Sequence, residues 1–251
     1  MKKHIYIGTS GWTYADWSDL FYPKDLPKNQ WLEYYTTQFN TLELNATFYR
    51  TFPEKVFKSW YKRTPENFHF VVKASRYITH RKYLLDVTPA IERFEKSIRP
   101  LKEKASLILL QLPPRMPYHP ERLQAALAAF SDASRVVVEF RNKAWLTEEV
   151  LAILIKFKAI FCNVDSPAIQ IYDKVTSDIA YLRLHGQKAL YDDNYTARQL
   201  KKFAASIEHL LQQGAKKVYV FFNNDYHAYA PTNAKQLKKI LSKNINNIGK
   251  E

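Results

Sequence analysis

Glu43, Lys73, Glu139, Arg141, Asp165, Arg183 and His185 are side chains of the kinds that move protons or stabilise charge, and their spacing gives them a common direction. In the stretch Arg135–Trp145, reading Arg-Val-Val-Val-Glu-Phe-Arg-Asn-Lys-Ala-Trp, a β-branched run predicts a buried strand that ends on Glu139 and Arg141. Side chains two apart on a strand share a face, so Val136, Val138 and Phe140 take one side while Val137, Glu139 and Arg141 take the other. A carboxylate and a guanidinium then point together into whatever the second side encloses, which is costly unless they are paired or working. The same parity puts Glu43 with Asn45 and Thr47 in a strand over 41–47, and Lys73 with Val71 in one over 68–75. It leaves Gln111 near the end of a strand over 105–112 and pairs Asn163 with Asp165 over 160–165. Tyr181, Arg183 and His185 share a face over 179–185, and Asn223 ends a strand over 217–223.

Three carboxylates, three cations and one imidazole crowded into a cleft of low dielectric have their pKa values pushed apart, so that one group holds a proton at neutral pH while another has lost it. That is the requirement of general acid/base chemistry. The expected roles are Glu139 or Glu43 as acid/base and His185 as proton carrier, with Lys73, Arg141 and Arg183 stabilising charge on substrate or transition state. The competing reading is an ion-pair network that only holds strands in register. Glu139, Asp165 and His185 also offer oxygen and imidazole ligands of the kind Mn, Mg or Zn accepts. Three cations in the same ring oppose a divalent ion, and the expectation is no metal and no cofactor. Lys73 could form a Schiff base if its pKa were lowered, but neighbouring carboxylates would act against that. Cys162 takes the parity opposite to Asn163 and is expected to face helices, away from the site. Ser10 has no evident base partner, and Gly8–Gly11 reads as a tight turn.

The elements that must position these groups follow from periodicity. Strand-like runs alternate with helical ones over 30–39, 53–63, 88–104, 120–130, 147–157, 196–213 and from Thr232 onward. Pro167–Asp178 carries no convincing helix. Eight strand signals in about 250 residues predict a single α/β domain over 1–251, a TIM-like (β/α)8 barrel of parallel strands, irregular around the sixth helix. Polar parity appears near the C-terminal ends of many strands, where the mouth of such a barrel lies. An open doubly wound sheet would gather its polar ends at one switch point instead.

The loops expected at that mouth are rich in aromatic residues, among them Trp12, Tyr14, Tyr49, Tyr77, Trp145, Tyr191 and Tyr226, with Arg50, Arg76, Arg81 and Lys82 nearby. Such rings stack on sugars or unpaired bases, or else pack the loops onto the rim. Trp12, Asn45, Tyr49, His80, Gln111, Trp145, Arg183, Asn223 and Asn224 are the expected substrate contacts.

The net charge is +14 with a pI near 9.6. It favours acidic partners, either phosphorylated metabolites or nucleic acid. Much of the excess falls on the last two helices, at Lys201, Lys202, Lys235, Lys238 and Lys239, where solvated faces explain it. The one cysteine suits a reducing compartment. No apolar run approaches the roughly 18 residues of a membrane span, and Met-Lys-Lys-His-Ile-Tyr leads into strand-like sequence without a signal-peptide core. These features predict a cytoplasmic protein with no membrane partner. Its expected partner is a small, polar or anionic substrate, with nucleic-acid binding or phosphodiester cleavage, or non-catalytic ligand binding, as alternatives. The sequence predicts no oligomeric state.

Gly8-Thr9-Ser10-Gly11-Trp12, Glu43-Leu44-Asn45-Ala46-Thr47-Phe48-Tyr49, Lys73, Thr79-His80, Gln111-Leu112-Pro113-Pro114, Glu139-Phe140-Arg141 with Trp145, Asp165, Arg183-Leu184-His185-Gly186 and Phe222-Asn223-Asn224 resemble the signature blocks of the YecE-like family, domain of unknown function 72. The resemblance covers nearly the whole chain. It implies a single (β/α) barrel and supplies no reaction, so function has to be read from the site.

Overall fold

A computed structural model describes residues 4–169 and 171–248, with side chains of 243–248 excepted; the two ends of the predicted 1–251 domain lie outside the described residues. The strands are β1 His4–Thr9, β2 Thr41–Leu44, β3 His69–Lys73, β4 Ala105–Gln111, β5 Val136–Glu139, β6 Ile160–Asp165, β7 Ile179–Leu184 and β8 Lys217–Phe222. The helices are α1 Trp31–Gln38, α2 Ala46–Tyr49, α3 Glu54–Lys62, α4 Thr88–Ile98, α5 Pro120–Ala129, α6 Glu148–Phe157, α7 Ala197–Gln212 and α8 Tyr229–Ile248. All strand pairs are parallel, in the order β1-β8-β7-β6-β5-β4-β3-β2, which is the alternation that periodicity predicts.

Two apolar layers follow from strand parity. Val71, Leu107, Leu109, Val137, Cys162, Val164, Tyr181, Tyr219 and Phe221 fill the inside of the barrel. Leu42, Leu44, Phe70, Val72, Ile108, Val136, Val138, Phe140, Leu182 and Val220 face outward into the helices. Helix ends are set by local chemistry. The Thr147 hydroxyl accepts from Val150 N–H at the start of α6, and Thr196 forms a capping box with Gln199 at the start of α7. The strand expected to continue to Thr47 stops at Leu44, because Asn45 turns into helical geometry and opens α2.

One parity assignment is reversed. Cys162 and Val164 point into the barrel, so Asn163 and Asp165 point outward. Every residue of β6 is buried, so a polar side chain there has to find a partner on whichever face it occupies. Asn163 bonds the backbone of Lys174, donating to its carbonyl at 3.0 Å and accepting from its N–H at 2.9 Å. The Thr176 hydroxyl accepts from Phe161 N–H at 2.9 Å and donates to the Ala159 carbonyl at 2.7 Å. These side chains stitch the β6–β7 connection to the outside of β6, where its described residues form no helix.

The barrel closes between β1 and β2 by other means than a ladder. Ser10 and Glu43 form an isolated bridge, and Gly11 N–H donates to the Glu43 carbonyl at 2.9 Å. Lower down, Gly8 lies so near β2 that a Cβ would stand 2.3 Å from the Thr41 carbonyl oxygen. The buried Tyr35 hydroxyl, reaching in from α1, accepts from Thr9 N–H at 3.0 Å and donates to the Thr41 carbonyl at 3.1 Å. One phenol thus stands in for a strand-to-strand bond. Among the described residues no helix is long and apolar enough to cross a membrane.

Replacing Tyr35 by Phe keeps the ring and removes that bridge, leaving a buried donor and a buried acceptor unpaired. The expected loss is about 1–3 kcal/mol of unfolding free energy, at unchanged denaturant slope. Urea unfolding of Tyr35→Phe within about 0.5 kcal/mol of wild type, the size of an ordinary surface substitution, would show that the seam does not depend on the hydroxyl.

Candidate active site

At the C-terminal mouth the inward side chains of β2, β5 and β7 meet around one guanidinium. Arg183, 1% exposed, donates to Glu43 from Nε at 3.0 Å and from Nη2 at 2.6 Å, to Glu139 from Nη1 at 2.5 Å, and to Asn223 Oδ1 at 3.1 Å. Glu43 also accepts from the Ser10 hydroxyl at 2.7 Å and the Tyr181 hydroxyl at 2.6 Å. Glu139 takes a second guanidinium, Arg141, and the Gln111 amide at 2.9 Å. Burial pushes the Glu139 carboxyl up, but Arg141 and Arg183 outweigh it and hold the group well below the usual carboxylate range. Both carboxylates are fully buried, and every oxygen accepts a hydrogen bond. Neither carboxylate has an oxygen left without a donor, which is the arrangement of a charged scaffold.

His185 lies inside the same network. Its Nε2 lies 2.9 Å from Arg141 Nη2, where a guanidinium can only donate, and 3.6 Å from Glu139 Oε1, while its buried Nδ1 has no partner. Burial, then Arg141 and Arg183, push its pKa down to about 3. This environment favours a neutral ring that accepts within the network.

The groups that do reach open space lie on a cleft of about 420 Å³ lined by Tyr14, Asp16, Asn45, Tyr49, Lys73, Tyr191, Asn223, Asp225 and Tyr226. Lys73 Nζ donates to Gln111 Oε1 at 2.9 Å and sits over the Phe48 ring at 4.3 Å. Burial, followed by the charge of Arg183, pushes its pKa down to about 7, against the opposing pull of Glu139 and Glu43. Asp225 accepts from the Asn223 amide at 2.7 Å through Oδ2, while its buried Oδ1 has no partner. The nearby Tyr14 hydroxyl gives its proton to the Ser10 carbonyl at 2.5 Å. Burial raises Asp225 to about 7 despite its contacts with Tyr14 and Asn223. Asn45 Oδ1 is a second buried acceptor without a partner. Tyr49 and Tyr226 stand at the edge, 70% and 57% exposed.

The structure therefore brings together Glu43, Lys73, Gln111, Glu139, Arg141, Arg183, His185 and Asn223, with Asn45 and Tyr49 on the cleft wall. His80 is close by but off the cleft, its Nδ1 2.8 Å from the Thr79 hydroxyl and its ring edge-on to Phe48. Four expected site residues lie elsewhere. Asp165, on the outward face of β6, accepts from the Tyr195 hydroxyl at 2.8 Å and the Gln187 amide at 3.0 Å. The metal set Glu139, Asp165, His185 is consequently not assembled. Trp145 is buried, nearly parallel to Phe140, with its indole N–H on the Met116 carbonyl at 3.3 Å. Trp12 packs edge-on against Trp60 at 5.5 Å. Asn224 ties the loop after β8 to Asn233 of α8 at 2.8 Å.

Asp225 and the partners Ser10 and Tyr181 went unrecognised as site residues. Asp225 follows Asn223 by two residues in a continuous polar run, which is the signal that could have found it. Tyr181 shares the parity of Arg183, and only the distance to Glu43 reveals its use.

Residues 6–251 match the sequence model of a family described as protein of unknown function DUF72. The UPF0759 protein YunF of Bacillus subtilis is 26% identical over 270 residues, spanning 94% of each chain. The UPF0759 protein YecE of Escherichia coli K12 is 29% identical over 109 residues, or 43% of this chain and 38% of that one. A solved DUF72 family protein from Thermotoga maritima, 31% identical, superposes with a TM-score of 0.86 over 95% of this chain and 99% of its own. A barrel built on the resembling blocks, matched over residues 6–251 in sequence and over 95% of the chain in fold, belongs to the DUF72 family.

Proposed function

We propose that the mouth cleft is the active site of an enzyme doing general acid/base chemistry on a small polar substrate, with Lys73 as base and Asp225 as acid. The observation that carries this reading is the partition of charge. Glu43, Glu139, Arg141 and Arg183 consume one another beneath the cleft, whereas Lys73 and Asp225, both buried, line it with incomplete partners. A group kept from its favoured ionisation state by burial is poised to exchange a proton near neutrality. The position supports the reading as well, since active sites of such barrels lie at the C-terminal face.

The chemistry sets a pH profile. Lys73 acts as a base only when neutral, above about 7, and Asp225 acts as an acid only when protonated, below about 7. Turnover should peak near pH 7 and fall on both sides. In a turnover screen of small hydroxylated, carbonyl and phosphorylated compounds, Lys73→Met and Asp225→Asn should each lower the rate by about 10²–10⁴. Undiminished turnover in both variants would overturn the assignment.

Stability gives a check that needs no substrate. The folded pKa of Asp225 lies above its unfolded value, so the native state binds more protons between about pH 4 and 7 and loses stability as pH rises through that window. Asn mimics the protonated form. Asp225→Asn should exceed wild type by about 1–3 kcal/mol at pH 8, with the gain gone near pH 4. Lys73 works in the opposite window: its folded pKa lies below the unfolded one, so its burial costs stability below about pH 7, and that cost fades towards pH 10. A difference between Asp225→Asn and wild type that stays constant from pH 4 to 8 in urea unfolding would contradict the burial of this carboxyl.

A further inference from the structure

We propose that Lys73 is a nucleophile that forms an imine with the carbonyl carbon of a polyhydroxylated aldehyde or ketone, an inference that rests on the cleft being an active site. Its first support is the environment of the amine. Among the described residues no carboxylate lies within ion-pair distance of Lys73, because Arg183 and Arg141 hold Glu43 and Glu139. The polar contact of Nζ is the Gln111 amide oxygen, and Gln111 is locked in that orientation because its own N–H donates to Glu139. With only 8% of Lys73 exposed, burial disfavours an ammonium and outweighs the cation–π contact of Nζ with the Phe48 ring 4.3 Å away. The lowered pKa of Lys73 accords with this geometry.

The second support is the wall facing the ligand. Asn45 Oδ1 is a buried acceptor without a donor, and Asp225 Oδ1 is buried without a partner, an acceptor when ionised and a donor when it carries the acid proton. Leaving a buried polar atom unpaired is expensive, and ligand hydroxyls, which both donate and accept, fit this wall in either protonation state of Asp225. A compound with hydroxyls on one side and an electrophilic carbon toward Nζ is a hydroxylated aldehyde or ketone.

The step balances with the groups present. The Nζ lone pair forms the C–N bond while the carbonyl π pair moves to oxygen, which takes the Asp225 proton. The new ammonium returns a proton to the Asp225 carboxylate, giving a neutral carbinolamine. Its hydroxyl then leaves as water with that proton as the nitrogen lone pair forms the C=N bond. The net change is amine, carbonyl and one proton from Asp225 to iminium and water.

Reductive trapping with the full chain tests this. Dihydroxyacetone and glyceraldehyde are incubated with the protein and cyanoborohydride at pH 7, and the secondary amine is located by peptide mass mapping. An ordinary lysine is neutral to about 1 part in 10³ at pH 7, so the adduct on Lys73 should form at least tenfold faster than on an exposed lysine such as Lys58. Lys73→Arg should abolish the fast adduct. Gln111→Glu, which supplies the missing counter-charge, should slow it at least tenfold at pH 7. Labelling of Lys73 no faster than of Lys58 overturns the imine. If turnover in the screen still depends on Lys73 and Asp225 in that case, the acid/base reading stands without it; if that dependence is also absent, both fall.

Discussion

A guanidinium shut inside a barrel can stay charged only if carboxylates come to it from across the barrel, and Arg183 imposes that condition here. Its partners arrive from β2 and β5, strands on different parts of the circumference, and Asn223 joins from the end of β8. The desolvation cost of such a cluster is large, and removing one member would leave an uncompensated charge. The cluster therefore ties strand register to electrostatics: a one-residue slip of β2 would turn Glu43 outward into the helices.

The same condition shapes everything above it. Because Arg183 and Arg141 take both carboxylates, they leave His185 neutral and Lys73 without a counter-ion. Asp225 sits on the other side of this division, buried and tied to the network through the Asn223 amide. Ionisable groups kept away from their favoured protonation state cost native stability. The inner charges thus work by withholding partners from the outer ones.

Most of the fold and about half of the site could be read from residue order, for reasons that differ strand by strand. Where an inner face turns polar while the outer face stays apolar, as with Glu43 on β2, Lys73 on β3, Glu139 on β5 or Arg183 on β7, alternation reveals both the strand and its direction. β6 defeats the method because both of its faces are dry and both need filling. Cys162 and Val164 suit the barrel interior, while Asn163 and Asp165 serve an outer connection that lacks a helix. Trp145 and Trp12 show the ambiguity of aromatic residues, whose rings pack a rim as readily as they line a cleft. Glu43 and Glu139 mark another limit of the pattern. Parity places a charge on a face but does not count its partners, and it is the number of partners that separates a reactive carboxylate from a saturated one.

The seam between β1 and β2 has a dynamic consequence. Elsewhere around the barrel, neighbouring strands share a ladder that opens only with several bonds at once. Here a phenol hydroxyl and a single bridge do that work. With fewer bonds to break, this joint is where breathing of the cylinder is expected to concentrate, with amide hydrogen exchange faster along the β2-facing edge of β1 than along the edge facing β8. Since Ser10 and Glu43 form the top of the joint, each opening also loosens the floor of the mouth, so that the fold's mobile edge and its charged centre share a residue.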